Sequence, residues 1–481
     1  MAERMRPNGG QIMLGVLLLN LLAWLTNAHA EPEPLLKDSE ISAAIDRSLA
    51  GDTMVPHKRI QVSTKDGITT LRGVVPNLVA KDQAVRHAES IKGVRVVVDR
   101  LNVRTVRRSD EELSKQVQEA LRIDPATKSL NVNVSVQDGR VTISGTVQSW
   151  AEKELATEAA KSVKGVASIR NFLTIEPQAH REDMEIEADI KRRFQSDVWL
   201  IDRDLLVQVK NGVAHLKGTV GSILEKSHAT TLAYVLGITD VNIDGLTVEW
   251  SSRTRMRRSA HADPTDDEIA RAVKDAVLQD PRIRSLNPAV QVRAGAVILT
   301  GSVSNLAAKR AAEENARHTV GVRTVTNRLE VERQEDTSDQ MIAGRVRYRL
   351  SDHPVIDRDA ITVSVRNGVV SLNGAVDNPI AQRTAEELAE GVAGVVEVIN
   401  DLEVKVLQLG RSDDDLRSAI TSQLWWSPFV DEDRVWVDVR HGVVTLTGTV
   451  ETLWEKKFAE DNAREAGARV VQNDLRVHQS K

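Results

Sequence analysis

The chain has 481 residues, too many for one ordinary core, so several domains are expected. A net charge of -5 and a pI near 6.2 argue against a general nucleic-acid binder, which needs a basic field. Cysteine is absent, which excludes disulfides, thiolate metal sites, cysteine nucleophiles and a lipid-modified cysteine.

At the N-terminus, Arg4 and Arg6 precede an apolar run from Ile12 to Leu25, and Ala28-His29-Ala30 has a small-x-small cleavage pattern. Residues 1–30 therefore read as a secretory signal cleaved after Ala30, and a periplasmic location is expected, at most peripheral at a membrane. An uncleaved anchor is the competing reading. The run is shorter than the roughly 20 residues of a spanning helix.

From residue 38 onward one unit recurs six times. A glycine stands at Gly67, Gly139, Gly212, Gly295, Gly368 and Gly442, and a second follows six residues later at Gly73, Gly145, Gly218, Gly301, Gly374 and Gly448. Each second glycine has Leu or Ile two before it and Val two after it. The repeats span 38–104, 109–176, 181–249, 265–332, 338–405 and 412–478, with a basic linker at 250–264 dividing them into two halves of three.

Within a repeat the elements follow in a fixed order. An amphipathic helix opens it, as with Ile269, Val273, Ala276 and Val277 on one face, and Ser109/Glu112 and Thr265/Glu268 have capping-box spacing. An alternating strand such as Val132-x-Val134-x-Val136 leads to a two-residue turn. Asp138-Gly139, Asn211-Gly212 and Asn367-Gly368 suit positive φ at both turn centres, whereas Ala294-Gly295 and His441-Gly442 are less well specified. The second strand then carries the repeated glycine frame.

The second helix places alanines four apart in every copy: Ala84/Ala88, Ala156/Ala160, Ala229/Ala233, Ala312/Ala316, Ala385/Ala389 and Ala459/Ala463. These share one face and predict a narrow seam against a sheet. Glycines at 93, 165, 321, 394 and 467 mark most helix ends; Gly237 comes one residue early in repeat 3. A third strand carries Asn or Asp two before a leucine, at Asp99, Asn171, Asp244, Asn327, Asn400 and Asn473. The prediction is an α+β chain of six αββαβ domains, each with its own small core, arranged as separate beads.

This unit resembles the BON domain, named for bacterial osmotically induced and nodulation proteins. The Leu/Ile-x-Gly-x-Val frame, the earlier glycine and the Asn/Asp-x-Leu of the last strand carry the resemblance, from about Asp38 to Val477. It implies a three-stranded mixed sheet with two helices packed on one face. It also implies an envelope protein that binds phospholipid, protects against osmotic stress or acts as an envelope chaperone. The family has no established catalytic residues, so no enzyme and no cofactor is expected. Many members are anchored through a lipidated cysteine; without one, membrane contact here would be peripheral.

The eleven histidines show no local zinc pattern, and no nucleophile elbow or phosphate loop occurs. The repeated Asn/Asp reads as a backbone pin rather than a ligand contact. Arg253, Arg255, Arg257 and Arg258 in the linker, with no acid among them, suit anionic headgroups or simply a solvated connector. Trp425, Trp426, Phe429, Trp436 and Trp454 gather in repeat 6. Trp436 falls on the sheet face away from the helices, where it either meets a lipid or protein partner or packs on repeat 5 or a loop; Trp426 is a second candidate contact. Membrane phospholipids are thus the leading partner, and envelope proteins the alternative.

Overall fold

The computed structural model describes residues 36–478 except 125, 129, 178–179, 202, 251–263, 284–287, 333–337 and 406–411. Asp38–Lys481 forms one compact unit. The proposed signal segment and the four linker arginines lie outside the described residues.

All six repeats adopt the expected αββαβ order. Their first helices are Asp38–Gly51, Asp110–Ile123, Asp183–Ser196, Asp266–Gln279, Asp339–Asp352 and Asp413–Trp426. The second helices are Leu78–Glu89, Trp150–Lys161, Ile223–Ala233, Leu306–Arg317, Pro379–Glu390 and Leu453–Glu465. In repeat 1, strand Ile60–Lys65 pairs antiparallel with Ile68–Val75, which pairs parallel with Val96–Val103. Parallel neighbours need a crossover, which the second helix supplies. Repeat 3 has a register irregularity at His215/Lys217 between its second and third strands, and repeat 6 breaks its last strand into Val470–Asn473 and Arg476–Val477.

The alanine seam is present as read: all twelve alanines are fully buried. Asn171 shows what the repeated amide does. Its side chain donates to the Lys153 carbonyl at 3.1 Å and accepts from the Leu173 amide at 2.9 Å, tying the last strand to the second helix. Asn327, Asn400 and Asn473 repeat this pair of bonds. Thr265 forms the full capping box with Glu268; Ser109 accepts from the Glu112 amide.

The six turns share one conformation, including Ala294, which holds φ 48°. A carboxylate overlooked in the sequence explains this. Each first helix begins with an aspartate that stands 28 residues before the first turn residue, and its two oxygens accept the two turn amides. Asp266, for example, takes the Ala294 amide at 2.7 Å and the Gly295 amide at 2.9 Å. The amide pairs hold the carboxyls of Asp183, Asp266 and Asp413 below their ordinary range. Their stabilising contribution is complete above about pH 4 and is lost as pH falls through the lowered folded value.

Asp266→Ala should therefore loosen its hairpin more than Asp339→Ala, because Asn367-Gly368 favours the turn unaided and Ala294-Gly295 does not. Amide exchange at the two turns measures this. Equal protection loss in both variants would refute the clamp as the reason Ala294 is tolerated.

Each of repeats 2 to 6 contains a buried apolar cluster of its own, but separate beads are not what forms. The last carbonyl of one repeat's first helix accepts an amide from another repeat: Lys92 to Trp426 at 2.9 Å, Lys164 to Asp352 at 2.7 Å, and Val320 to Ser196 at 2.8 Å. A helix end has unpaired carbonyls, and here the partner repeat satisfies one. Repeat 3 thus pairs with 4, 2 with 5, and 1 with 6.

Neighbours meet through the first residue of the second helix. Leu78 enters the repeat 2 core, Leu306 packs on repeat 5, Leu453 packs on repeat 4, and Trp150 stacks on Tyr234 of repeat 3 at 4.6 Å. The Lys92 ammonium of repeat 1 lies over the ring of Trp250, just beyond repeat 3, at 5.2 Å from its centre.

Candidate functional site

The segment just after each first helix is built on one recurring device. Asp52, Asp124, Asp197, Asp280, His353 and Ser427 occupy the same place, and each side chain accepts the amide two residues ahead. Such a local bond reverses the chain after a helix. In several repeats the second helix sends a polar side chain to the same group. His87 reaches Asp52 at 2.9 Å, Asn315 reaches Asp280 at 3.2 Å, and Asn462 reaches Ser427 at 3.2 Å. His87 also meets the Ser48 hydroxyl at 2.8 Å.

Repeat 3 departs from this scheme in a way that gathers chemistry. His228 Nε2 lies 2.8 Å from Asp197 Oδ2, and His318 arrives from the end of the second helix of repeat 4. Asp197 and Thr319 form an antiparallel bridge, flanked by the bonds from Val198 to His318 and from Val320 to Ser196. The two imidazole rings lie 5.6 Å apart. One donor atom from each of Asp197, His228 and His318 falls within 4.8 Å of the others.

Aromatic rings wall this cluster. Trp199 stacks on Phe429 at 4.2 Å, and Trp454 lies 4.1 Å from His318. Repeat 6 therefore contributes to the junction of repeats 3 and 4. Burial pushes His318 down to about 4, despite the opposing pull of Asp197, so its ring is neutral at neutral pH. Asp197 stays below the ordinary carboxylate range: burial works against ionisation, but His228 and further hydrogen bonds outweigh it. Arg193 sits in the helix that ends just before Asp197, and burial lowers it to about 10 despite the opposing pull of Asp197.

The residues singled out in the sequence fare differently. Trp426 is only 6% exposed, so it is not an outer contact; it ends the first helix of repeat 6 against repeat 1. Its apolar side chain suited a surface contact as well as an interface, and pairing across the chain decides for the latter. Trp436 is 64% exposed on the open sheet face and covers Gly448. Leu206, at the matching place in repeat 3, is 66% exposed, and Phe172 of repeat 2 is 62% exposed. Beside Trp436, a groove is lined by Lys456, Asp474 and Arg476 where the last strand of repeat 6 is interrupted.

The repeated glycines at 73, 145, 218, 301, 374 and 448 all have positive φ within the central strands and serve the backbone. The cluster at 197, 228 and 318 escaped the sequence reading because its members stand far apart in the chain. Among the described residues no helix is long and apolar enough to cross a membrane.

Fold and surface together define an α+β tandem-domain protein with open sheet faces outside and buried polar groups both within repeats and between them. The chain belongs to the BON domain family, whose pattern matches residues 37–105, 109–177, 182–249, 265–333, 338–406 and 412–479. It is 32% identical over 145 residues to osmotically-inducible protein Y of Escherichia coli K12, covering 29% of this chain and 72% of that protein. It is 28% identical over 137 residues to the outer membrane lipoprotein DolP of Haemophilus influenzae, covering 27% and 71%. The C-terminal domain of CdsD, a type III secretion structural protein of Chlamydia trachomatis, aligns at 16% identity. It spans 45% of this chain and 100% of that one with a TM-score of 0.13, which supports no inference.

Proposed function

We propose that this is a non-catalytic, exported binding protein that associates peripherally with envelope phospholipid and serves the cell under envelope or osmotic stress. The exposure of Trp436 on an open sheet face, near a groove that holds Lys456 and Arg476 together with Asp474, carries this reading. Indole rings favour the water–bilayer boundary, and cations favour anionic headgroups. Leu206 and Phe172 offer further apolar contacts on other repeats, so weak sites can add through effective concentration. The names of the two relatives, one osmotically induced and one of the outer membrane, agree with this setting.

A second reading, a chaperone or assembly scaffold, rests on the open edges: every sheet has three strands in sequence order, leaving two outer strands per repeat, apart from the split last strand of repeat 6. Unpaired strand edges accept extended peptide.

Flotation of the whole chain with anionic or zwitterionic liposomes over a salt series tests the first reading. Binding should favour anionic vesicles, fade with salt, and weaken roughly tenfold in Trp436→Ala. Neutralising Arg253, Arg255, Arg257 and Arg258 together should weaken lipid binding and leave any suppression of client aggregation intact. No flotation at any salt would end the lipid reading and turn attention to peptide capture.

A further inference from the structure

We propose that Asp197, His228 and His318 form a binding site for one borderline divalent transition-metal ion, of the zinc class, that clamps repeat 3 to repeat 4. Two imidazoles and a carboxylate suit such an ion, and they leave a fourth coordination position open. Their donor atoms already lie within 4.8 Å of one another, whereas ligands around one zinc stand roughly 3.3 Å apart. Small side-chain rotations close the difference.

The surroundings favour this use in three ways. His318 Nδ1 is buried without a hydrogen-bond partner, a costly condition that a metal or a partner would relieve. The backbone bridge between Asp197 and Thr319 fixes the two helix ends that bear Asp197 and His318, so little ordering is needed. The Trp199, Trp454 and Phe429 wall limits water, which strengthens charge interactions within. Binding at His228 Nε2 would replace its contact with Asp197 Oδ2, with the imidazole N–H carried on Nδ1. Arg193 opposes a second positive charge near Asp197, which limits affinity without touching the ligand set.

The consequence is structural. The ligands come from both sides of the 251–263 segment, so an ion would join the two halves of the chain at the one cross-repeat pair that has an antiparallel backbone bridge among the described residues.

Cobalt(II) titration of the whole metal-stripped chain is the test. One equivalent should give a saturable ligand-field band that zinc displaces, and zinc should raise Tm. His228→Gln copies Gln83 at the matching place in repeat 1, and His318→Ser copies the helix-end Ser90 and Ser162, so both changes are tolerated by the fold elsewhere. Each should weaken cobalt binding by more than the roughly 10–100-fold typical of outer-shell changes. His87→Asn, which copies Asn315 and Asn462, should leave the band unchanged. No band at one equivalent, or one whose affinity survives either ligand substitution, would overturn the site.

Discussion

Glu225→Ala should cost repeat 3 about 3–5 kcal/mol, because it leaves a buried arginine without its carboxylate. Glu225 Oε1 accepts from Arg203 Nη2 at 2.9 Å, and Oε2 accepts the Gly221 amide at 2.7 Å. The side chains are 2% and 5% exposed, so water cannot replace the lost partner. Glu225→Gln keeps the shape and should lose less. Glu455 occupies the same place in repeat 6 but accepts the amides of Asp431 and Glu451, with no arginine paired to it among the described residues. Its alanine variant should therefore lose a smaller amount, of about 1–3 kcal/mol. Urea melts followed by a repeat 3 probe such as Trp199 fluorescence would compare them. If Glu225→Ala lost no more than Glu455→Ala, the ion pair would not be the source of the effect.

Much of this architecture was legible because each repeated residue has one dominant local reason. The second glycine, the alanine pair and the Asn/Asp before leucine recur in register, and period alone separates them from chance. The aspartate clamp was equally periodic, but an acid opening a helix has an ordinary explanation in the helix dipole. Only the fold shows that the same carboxylate reaches a turn 28 residues away and thereby makes Ala294 acceptable. Trp426 and the cluster of Asp197, His228 and His318 were not legible. Their partners lie in other repeats, and nothing in local spacing encodes which repeats meet.

The pairing of 1 with 6, 2 with 5 and 3 with 4 also changes the meaning of repetition. Multivalent binding explains why a chain would carry six copies, yet strings of independent modules do not need matched helix ends. Here the same carbonyl is capped in all three pairs, and the first residue of a second helix docks on a neighbour in four repeats. Identical units placed in one chain can use identical contacts repeatedly, as subunits of a symmetric oligomer do. The outward sheet faces then become a variable part, and Trp436 and Leu206 differ at one matching place while the capped helix-end carbonyl recurs in all three pairs.

Gly374→Ala provides the sharpest test of the repeated glycine frame. Gly374 has φ 133°, and a Cβ there would lie 2.0 Å from the Ala360 carbonyl oxygen. That oxygen belongs to the backbone entering the first strand, so it cannot rotate away as a side-chain tip would. Relief requires separating Ile361 from its register partner Gly374, which opens the hairpin at its start. The expected cost is about 2–4 kcal/mol, from backbone strain and the disturbed strand pair. Gly344 in the same repeat is the internal control. It is exposed in the first helix, and nothing lies within 4 Å of its would-be Cβ. Gly344→Ala should stabilise by about 0.5–1 kcal/mol, since alanine restricts the unfolded chain and favours helix. Opposite signs in equilibrium unfolding of the two variants are the expected result. Equal, small shifts would mean that the frame marks ancestry rather than close approach of the strands.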